Sequence, residues 1–245
     1  MNKQHNLRRL LFWGALSMFI TPIAMPQESC GDLINAIGPF DYRYKKSDLE
    51  IVERHHFLPY VENLSRGATS TSPGGDLDYT LRASPNHYRA LVSMINLANK
   101  EKRDKPMGSR YSVACWLDRA ERFAPNDEMV KYLFGTYLLK QGKNNEAVLK
   151  LEQAREYAQD NAYIHYNLGL AYFDLKKFDK ALASAHKTYK LGFPFPGLRN
   201  KLKQAGKWSD PATEAAPYPD EKGHQKSSYK LNNPDLEKPS EVSDY

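Results

Sequence analysis

The sequence predicts an all-α fold of stacked helical hairpins, and three observations support this prediction. A stretch near the middle of the 245-residue chain repeats itself after 34 residues, so that Gly135 recurs as Gly169 and Ala147 recurs as Ala181. Apolar residues within each copy recur at helical spacing in two runs. A glycine, Gly142, then stands where the first helix would end. Units of this kind bury apolar surface against their neighbours, which predicts a solenoid of about three repeats.

Two regular units are expected, at residues 127–160 and at residues 161–194. In the first unit, Asn126 is the expected N-cap, and a second helix is expected from about Asn145. In the second unit, Asn161 opens the first helix. The glycine on each first helix lets the second helix approach closely, and the alanine on each second helix makes the reciprocal contact.

A divergent unit is expected at residues 84–126. Ser84 is its predicted N-cap and Pro85 its first helical residue, because proline is favoured at that position. Ala120 falls on a packing position of its second helix. The connection between the two helices is longer than in the regular units and is basic. After the last unit a capping helix is expected at residues 195–208, since terminal repeats need a cover.

These units resemble the tetratricopeptide repeat (TPR) family, because residues 168–182 match the Leu-Gly, Tyr, Phe and Ala positions of that family in register. Most of the chain outside its two ends also resembles exported proteobacterial TPR proteins of undetermined function. The shared stretches lie at residues 38–43, 74–87, 114–116 and 196–208. This resemblance implies a TPR solenoid in a bacterial, exported setting, and it implies no catalytic activity.

The resemblance also implies a partner-binding groove. In TPR proteins the first helices of the units line a concave groove, and a few positions on each of these helices point into it. Mapped onto this sequence, three of these positions hold Tyr88, Val92 and Ile95 in the first unit, Tyr132, Thr136 and Leu139 in the second, and Tyr166, Leu170 and Phe173 in the third. A recurring tyrosine suits an extended or helical peptide. The alternative is that the chain fills its own groove, through residues 74–81 or the N-terminal helix.

Residues 1–29 predict a signal peptide or a membrane anchor. Lys3, Arg8 and Arg9 precede an apolar run at residues 10–20, which is the layout of a secretory signal peptide. The expected location is therefore the periplasm. An uncleaved anchor in the inner membrane is the alternative, because the uncharged stretch approaches the length of a membrane span. A lipidated Cys30 is less favoured, since the residues before it do not resemble a lipobox.

Residues 30–83 are expected to form a helical and loop cap outside the repeats. A capping-box pattern at residues 47–50 predicts the start of one helix, and Pro59 predicts the start of another that ends near Gly67. The stretch at residues 68–81 is expected to be a loop, because it is rich in Thr, Ser, Gly and Asp.

The C-terminal tail, residues 209–245, differs from the rest of the chain in composition. It has almost no aliphatic residues and is expected to be disordered. It carries eight acidic and four basic residues, whereas residues 30–208 carry 28 basic and 20 acidic residues. A basic scaffold of this kind suits an anionic surface or an acidic peptide. The alternative is that the lysines are solvated outer faces of helices.

The two cysteines, Cys30 and Cys115, predict a disulfide bond, because an exported chain with an even cysteine count favours one. Two unpaired thiols are the alternative. Catalytic motifs are absent from the sequence. Asp76, Asp78 and His87 are the candidates for an enzymatic or metal site, although aspartates in a glycine-rich turn usually form the turn itself.

These observations together predict a non-catalytic protein-binding module of the bacterial cell envelope. Its expected partner is a protein or a peptide. No cofactor, metal or nucleic acid is expected. Two alternatives are a membrane-tethered structural subunit of an envelope assembly and an enzyme that uses the region of Asp76, Asp78 and His87.

Overall fold

The computed structural model describes residues 29–211, and within this range it contains ten helices and no strand. In chain order the helices are α1 (Lys46–His56), α2 (Pro59–Glu62), α3 (Pro73–Ala83), α4 (Tyr88–Glu101), α5 (Val113–Phe123), α6 (Glu128–Lys140), α7 (Asn144–Tyr157), α8 (Ala162–Asp174), α9 (Phe178–Lys190) and α10 (Gly197–Gln204). Consecutive helices pack as hairpins, which confirms the predicted all-α solenoid. The predicted signal peptide and nearly all of the tail lie outside the described residues. None of the ten helices is long and apolar enough to cross a bilayer.

The two regular hairpins, α6 with α7 and α8 with α9, lie where the 34-residue recurrence predicts them. Asn161, where the second unit is predicted to start, is the N-cap of α8, and its side chain accepts hydrogen bonds from two backbone amides of the first turn. The predicted cap Asn126 is wrong by one residue. Asp127 caps α6 instead, because its carboxylate accepts from the amides of Met129 and Val130.

The glycine of each first helix is required for close packing, although the neighbour differs between the two hairpins. A Cβ atom added at Gly135 would lie 2.6 Å from Cγ of Leu151 on α7, which agrees with the predicted approach of the second helix. A Cβ atom added at Gly169 would lie 2.2 Å from Cδ2 of Leu198 on α10. The residue of α9 equivalent to Leu151 is the small Ala185, and the capping helix therefore comes close to Gly169.

The first helix of the divergent unit begins three residues later than predicted. Its N-cap is His87, and Tyr88 is its first residue. The predicted cap, Ser84, instead ends α3. This helix occupies residues 73–83, most of which fall in the stretch predicted to be a loop. Residues 84–87 form the turn between α3 and α4, so Pro85 lies in that turn and not in a helix.

Helices α1 and α3 form a further hairpin that the sequence reasoning missed. The end of α1 lies against the start of α3, where His56 contacts Asp76. A 40-residue recurrence was the available signal: Arg82-Ala-Ser-Pro-Asn at the end of α3 recurs as Arg122-Phe-Ala-Pro-Asn at the end of α5. In the same register, Leu77 corresponds to Leu117. The cap at residues 30–83 is therefore built around a divergent hairpin.

The local predictions within this cap are right only in part. Helix α1 begins at Lys46 and has no side-chain cap, so the capping box predicted at residues 47–50 does not form. Pro59 does open α2, but that helix ends at Glu62 and not near Gly67.

The N-terminal segment is attached to α5 by covalent and polar contacts. Cys30 and Cys115 are joined by a disulfide bond with an S–S distance of 2.01 Å. The buried Arg119 donates from Nη1 to the carbonyl oxygens of Cys30 at 2.8 Å and Asp32 at 2.7 Å. These contacts hold the chain around residues 30–32 against the second helix of the divergent unit.

A buried polar network joins this N-terminal region to the repeats. Asn86 donates from Nδ2 to Asp41 and to Asp127, each at 2.9 Å, and the hydroxyl of Tyr88 donates to Asp127 at 3.0 Å. Burial alone would raise the pKa of Asp41, but hydrogen bonds from Arg43 and Asn86 outweigh it and lower the pKa to about 2. The network therefore fixes the N-terminal segment, the α3–α4 turn and the start of α6 relative to one another.

Candidate functional site

The first helices of the three repeat hairpins, α4, α6 and α8, stand side by side, with α6 in contact with both neighbours. Their N-caps, His87, Asp127 and Asn161, set a common register. The fifth, ninth and twelfth helical residues after each cap form the surface that we call the groove. They are Val92, Asn96 and Asn99 on α4, Tyr132, Thr136 and Leu139 on α6, and Tyr166, Leu170 and Phe173 on α8.

Two groove residues predicted on α4 do not lie there. Tyr88 is the first residue of the helix, is 7% exposed, and binds Asp127 through its hydroxyl. Ile95 is 8% exposed and stands where the regular units have their close-packing glycine. Both errors follow from the late start of α4. Val92 stays in the groove, at the fifth position after the cap, and Asn96 and Asn99, which sequence reasoning missed, take the other two positions.

The recurring tyrosines Tyr132 and Tyr166 contact other parts of the chain. The hydroxyl oxygen of Tyr132 accepts a hydrogen bond of 3.3 Å from Asn167 on α8, and burial raises the pKa of Tyr132 to about 12. Tyr132 packs against both core clusters, one formed by the helices before it and the other by the helices after it. The ring of Tyr166 stacks on Phe193, with 4.5 Å between centroids. Both rings therefore make contacts within the chain.

The chain itself borders both ends of the groove. At the first end, α2 and the turn after it lie along α4: Arg89 pairs with Glu62, and Lys100 donates to the carbonyl oxygen of Leu64 at 2.9 Å. At the other end, Phe193 and α10 pack against α8. The chain therefore covers the groove at its two ends. The segment at residues 74–81, which was one of the predicted occupants, is part of α3.

The middle of the groove remains accessible. We call this middle part the groove floor, and it consists of Asn96, Asn99, Thr136, Leu139, Leu170 and Phe173. Asn99 is exposed, and the other five residues are partly exposed. The floor is mainly apolar on α6 and α8, where Thr136 is its one polar member, and it carries two amides on α4. Leucine and phenylalanine offer contact area for apolar side chains, while asparagine both donates and accepts hydrogen bonds. This combination suits a segment of polypeptide.

The enzymatic candidate residues belong to three separate hydrogen-bond networks. Asp76 is fully buried and accepts from the amides of Ala68 and Ser70 at 2.8 and 3.0 Å, so its carboxylate shapes the turn before α3. Asp78 accepts from Arg82 Nε at 2.9 Å and from the amide of Arg110 at 2.7 Å. Each carboxylate is occupied by structural contacts.

His87 has the same structural character. Its Nδ1 accepts from the amide of Ala90, which leaves Nε2 to carry the proton and donate to Glu53 at 2.9 Å. Burial lowers the pKa of His87, which favours the neutral imidazole. Among residues 29–211, no three His, Cys, Asp or Glu side chains are arranged as a metal site.

Comparison with known families gives a match in the repeat region of this chain. Residues 132–191 match the family described as Tetratricopeptide repeat. The matched stretch covers nearly all of the hairpins α6–α7 and α8–α9, in agreement with the predicted resemblance. No curated protein matches the chain.

Proposed function

We propose that the protein is a non-catalytic scaffold of the bacterial cell envelope that binds an extended segment of a protein partner on the groove floor. The tetratricopeptide repeat match supports the scaffold role, because such repeats generally mediate protein–protein interactions. The observation that carries the proposal is the groove floor itself. Its six side chains lie on three adjacent helices between the covered ends, and none of them is fully buried by the chain.

The chemistry of the floor indicates what kind of segment fits. Leu139, Leu170 and Phe173 offer apolar contacts, which favour a partner with aliphatic or aromatic side chains over the α6 and α8 part. Asn96 and Asn99 offer amides, which pair with the main chain of an extended peptide at the α4 end. A segment with apolar residues at one end and an accessible backbone at the other satisfies both parts of the floor.

Truncation of a single floor residue tests the proposal. Leu139→Ala should weaken capture of periplasmic partners at least about fivefold, because a well-packed residue at the centre of an interface can cost more than about 1 kcal/mol on truncation. Partners are captured by chemical crosslinking in the periplasm and quantified by mass spectrometry. Leu149→Ala is the matched control, since Leu149 is an exposed leucine of α7, 65% exposed, outside the groove. Equal capture by the two variants, with unchanged melting temperatures, would remove the groove floor as the binding surface.

The envelope location rests on the basic residues and apolar run of the N-terminus and needs its own test. We expect the mass of the protein purified from its source to match a chain cleaved before Cys30 and recovered in the periplasmic fraction. Recovery in the membrane fraction with an intact N-terminus would show that the protein is tethered to the membrane.

A further inference from the structure

A cluster of lysines covers the α8–α10 end of the solenoid. Its members come from the α8–α9 turn and the region of α10. All four are exposed, and the ion pairs between described residues include none of them. We call this surface the lysine patch, and it consists of Lys176, Lys177, Lys201 and Lys207. Asp174 and Asp179 are the exposed carboxylates of the same α8–α9 stretch, so the patch keeps a positive excess.

Aromatic rings make the patch continuous with the groove floor. The ammonium groups of Lys176 and Lys201 each lie 5.7 Å from the ring centroid of Phe173, a floor residue. That ring contacts Phe178 edge-on at 5.6 Å, and the ammonium group of Lys207 lies 5.4 Å from Phe178. These cations lie near aromatic rings, where the attraction is modest, and form no ion pair with a carboxylate of residues 29–211. An acidic ligand with some apolar surface would complement this arrangement.

The chain supplies a segment of that chemistry. Residues 231–245 contain four acidic residues, one lysine and four apolar or aromatic residues. The described chain ends beside the patch, because Trp208 follows Lys207 directly and packs edge-on against His186 at 5.2 Å. Residues 212–230 then provide a linker that spans up to about 60 Å when fully extended, which is more than enough to return to the patch.

We infer that the acidic segment 231–245 docks on the lysine patch of its own molecule and competes with a partner for the α8 end of the groove. A linked segment has an effective concentration in the millimolar range, so even weak attraction occupies the site. The attraction is electrostatic and exposed, so it is screened by salt. The docked segment covers Phe173 and leaves the α4 end of the floor open. The contact forms without any partner, so a test of the contact does not depend on whether the proposed function is right.

Zero-length crosslinking of the full chain tests this contact. A carbodiimide joins a carboxylate to an amine only when the two groups touch, and mass spectrometry identifies the joined residues. Lys140 and Lys143 are matched controls, because both are exposed, take part in no ion pair between described residues, and lie in the α6–α7 region. Lys143 is the counterpart of Lys177 one repeat earlier. We expect the acidic residues of 231–245 to join the lysine patch at least about fivefold more often than the controls, and this preference to vanish in about 1 M salt.

Two further readouts decide the outcome. The first is a variant with D235N, E237Q, E241Q and D244N, which lacks the side-chain carboxylates of the acidic segment. The second is the yield of crosslinks between the patch and residues 212–230, a segment with no net charge, which should be low in the parent and stay low in this variant. The inferred contact is wrong if the acidic segment joins Lys140 and Lys143 as often as the patch. It is also wrong if the crosslinks occur only in dimers, because the segment would then bind a second copy.

Discussion

The two halves of this solenoid differ in how their helices are held together. In the regular half, α6 and α7 meet through Gly135 and Ala147, two residues small enough for the helices to pack closely. In the irregular half, the equivalent positions of α4 and α5 hold Ile95 and Val113, and these helices approach each other less closely. The comparison shows that the small-residue contact is a property of the 34-residue units and is absent from the hairpin before them.

The irregular half is instead held by a few specific ties. These are the disulfide of Cys30 and Cys115, the buried network around Asn86, and the pair of His87 with Glu53. A regular unit is stabilised by its contacts with the neighbouring units, and these contacts are many and individually weak. A specific tie is lost at once when one partner is changed, oxidised, reduced or protonated. The two halves should therefore respond to different perturbations.

The largest effect is expected from removal of the disulfide. It closes a loop of 85 residues, so replacing both cysteines by serine should lower the free energy of unfolding by about 4 kcal/mol. Urea unfolding of the oxidised parent and of the double variant measures this difference. Hydrogen exchange should show the loss of protection in α3–α5 and much less in α8–α9. If Cys30 and Cys115 label fully under denaturing, non-reducing conditions, the protein as isolated has no disulfide and this prediction is wrong.

Close packing in the regular half gives the next largest effect. Gly169→Leu should destabilise the fold by about 1–3 kcal/mol, because its side chain would meet Leu198 of the capping helix. Thermal unfolding measures the change, and adding Leu198→Ala should restore part of the lost stability by making room. A Gly169→Leu variant that melts like the parent would refute the close approach.

An intermediate effect separates the tyrosines from the groove floor. Tyr132→Ala should lower the free energy of unfolding by about 2 kcal/mol, because the half-buried ring joins the two core clusters. Leu139→Ala, seven residues further along the same helix, should leave the melting temperature nearly unchanged. If Leu139→Ala lowered the melting temperature more than Tyr132→Ala, Tyr132 would be an exposed residue available for contact with a partner.

The smallest effect is a dependence of stability on pH that originates mainly in the irregular half. Burial holds the pKa of His87 below its usual value of 6.5, so the unfolded chain takes up this proton first as the pH falls. The contribution of His87 to the free energy of unfolding is therefore fully present above about pH 6.5 and decreases below it. The hydrogen bond from His87 lowers the pKa of Glu53, which adds a loss in the same direction at lower pH.

His87→Asn keeps an N-cap residue but removes the titrating group. The melting temperature of this variant should fall less steeply than that of the parent between pH 7 and pH 5. A residual slope is expected from His165, whose pKa is also lowered by burial. An unchanged slope would show that His87 does not contribute to the pH dependence.

The same comparison explains which parts of the fold could be predicted from sequence. The regular hairpins follow from local patterns, since Gly142 ends α6 with a positive φ and Asn161 caps α8. The start of α4 does not, because Ser84 and Pro85 have the local pattern of a helix start. Their actual turn is fixed by Asn86, which binds Asp41 and Asp127 more than 40 residues away. Partners at that distance leave no signal in a local pattern.

Helix α3 was missed for a similar reason. Its first residues include Gly74, where an added Cβ atom would lie 2.1 Å from the carbonyl oxygen of Met107. The glycine therefore serves a tertiary contact, although it looks like part of a loop. The candidate site was predictable on α6 and α8, where the register is regular. On α4 the groove register is displaced by four residues from the prediction, so Tyr88 and Ile95 lie outside the groove, and only structure revealed Asn96 and Asn99.

The most direct test of the groove floor is site-specific photocrosslinking in living cells. A photoreactive amino acid replaces Leu139 on the floor, or Leu149 outside the groove as a matched position on α7. We expect a covalent adduct with a partner protein from position 139 and none, or much less, from position 149. Adducts from position 149 alone, or at equal yield from both positions, would contradict the account.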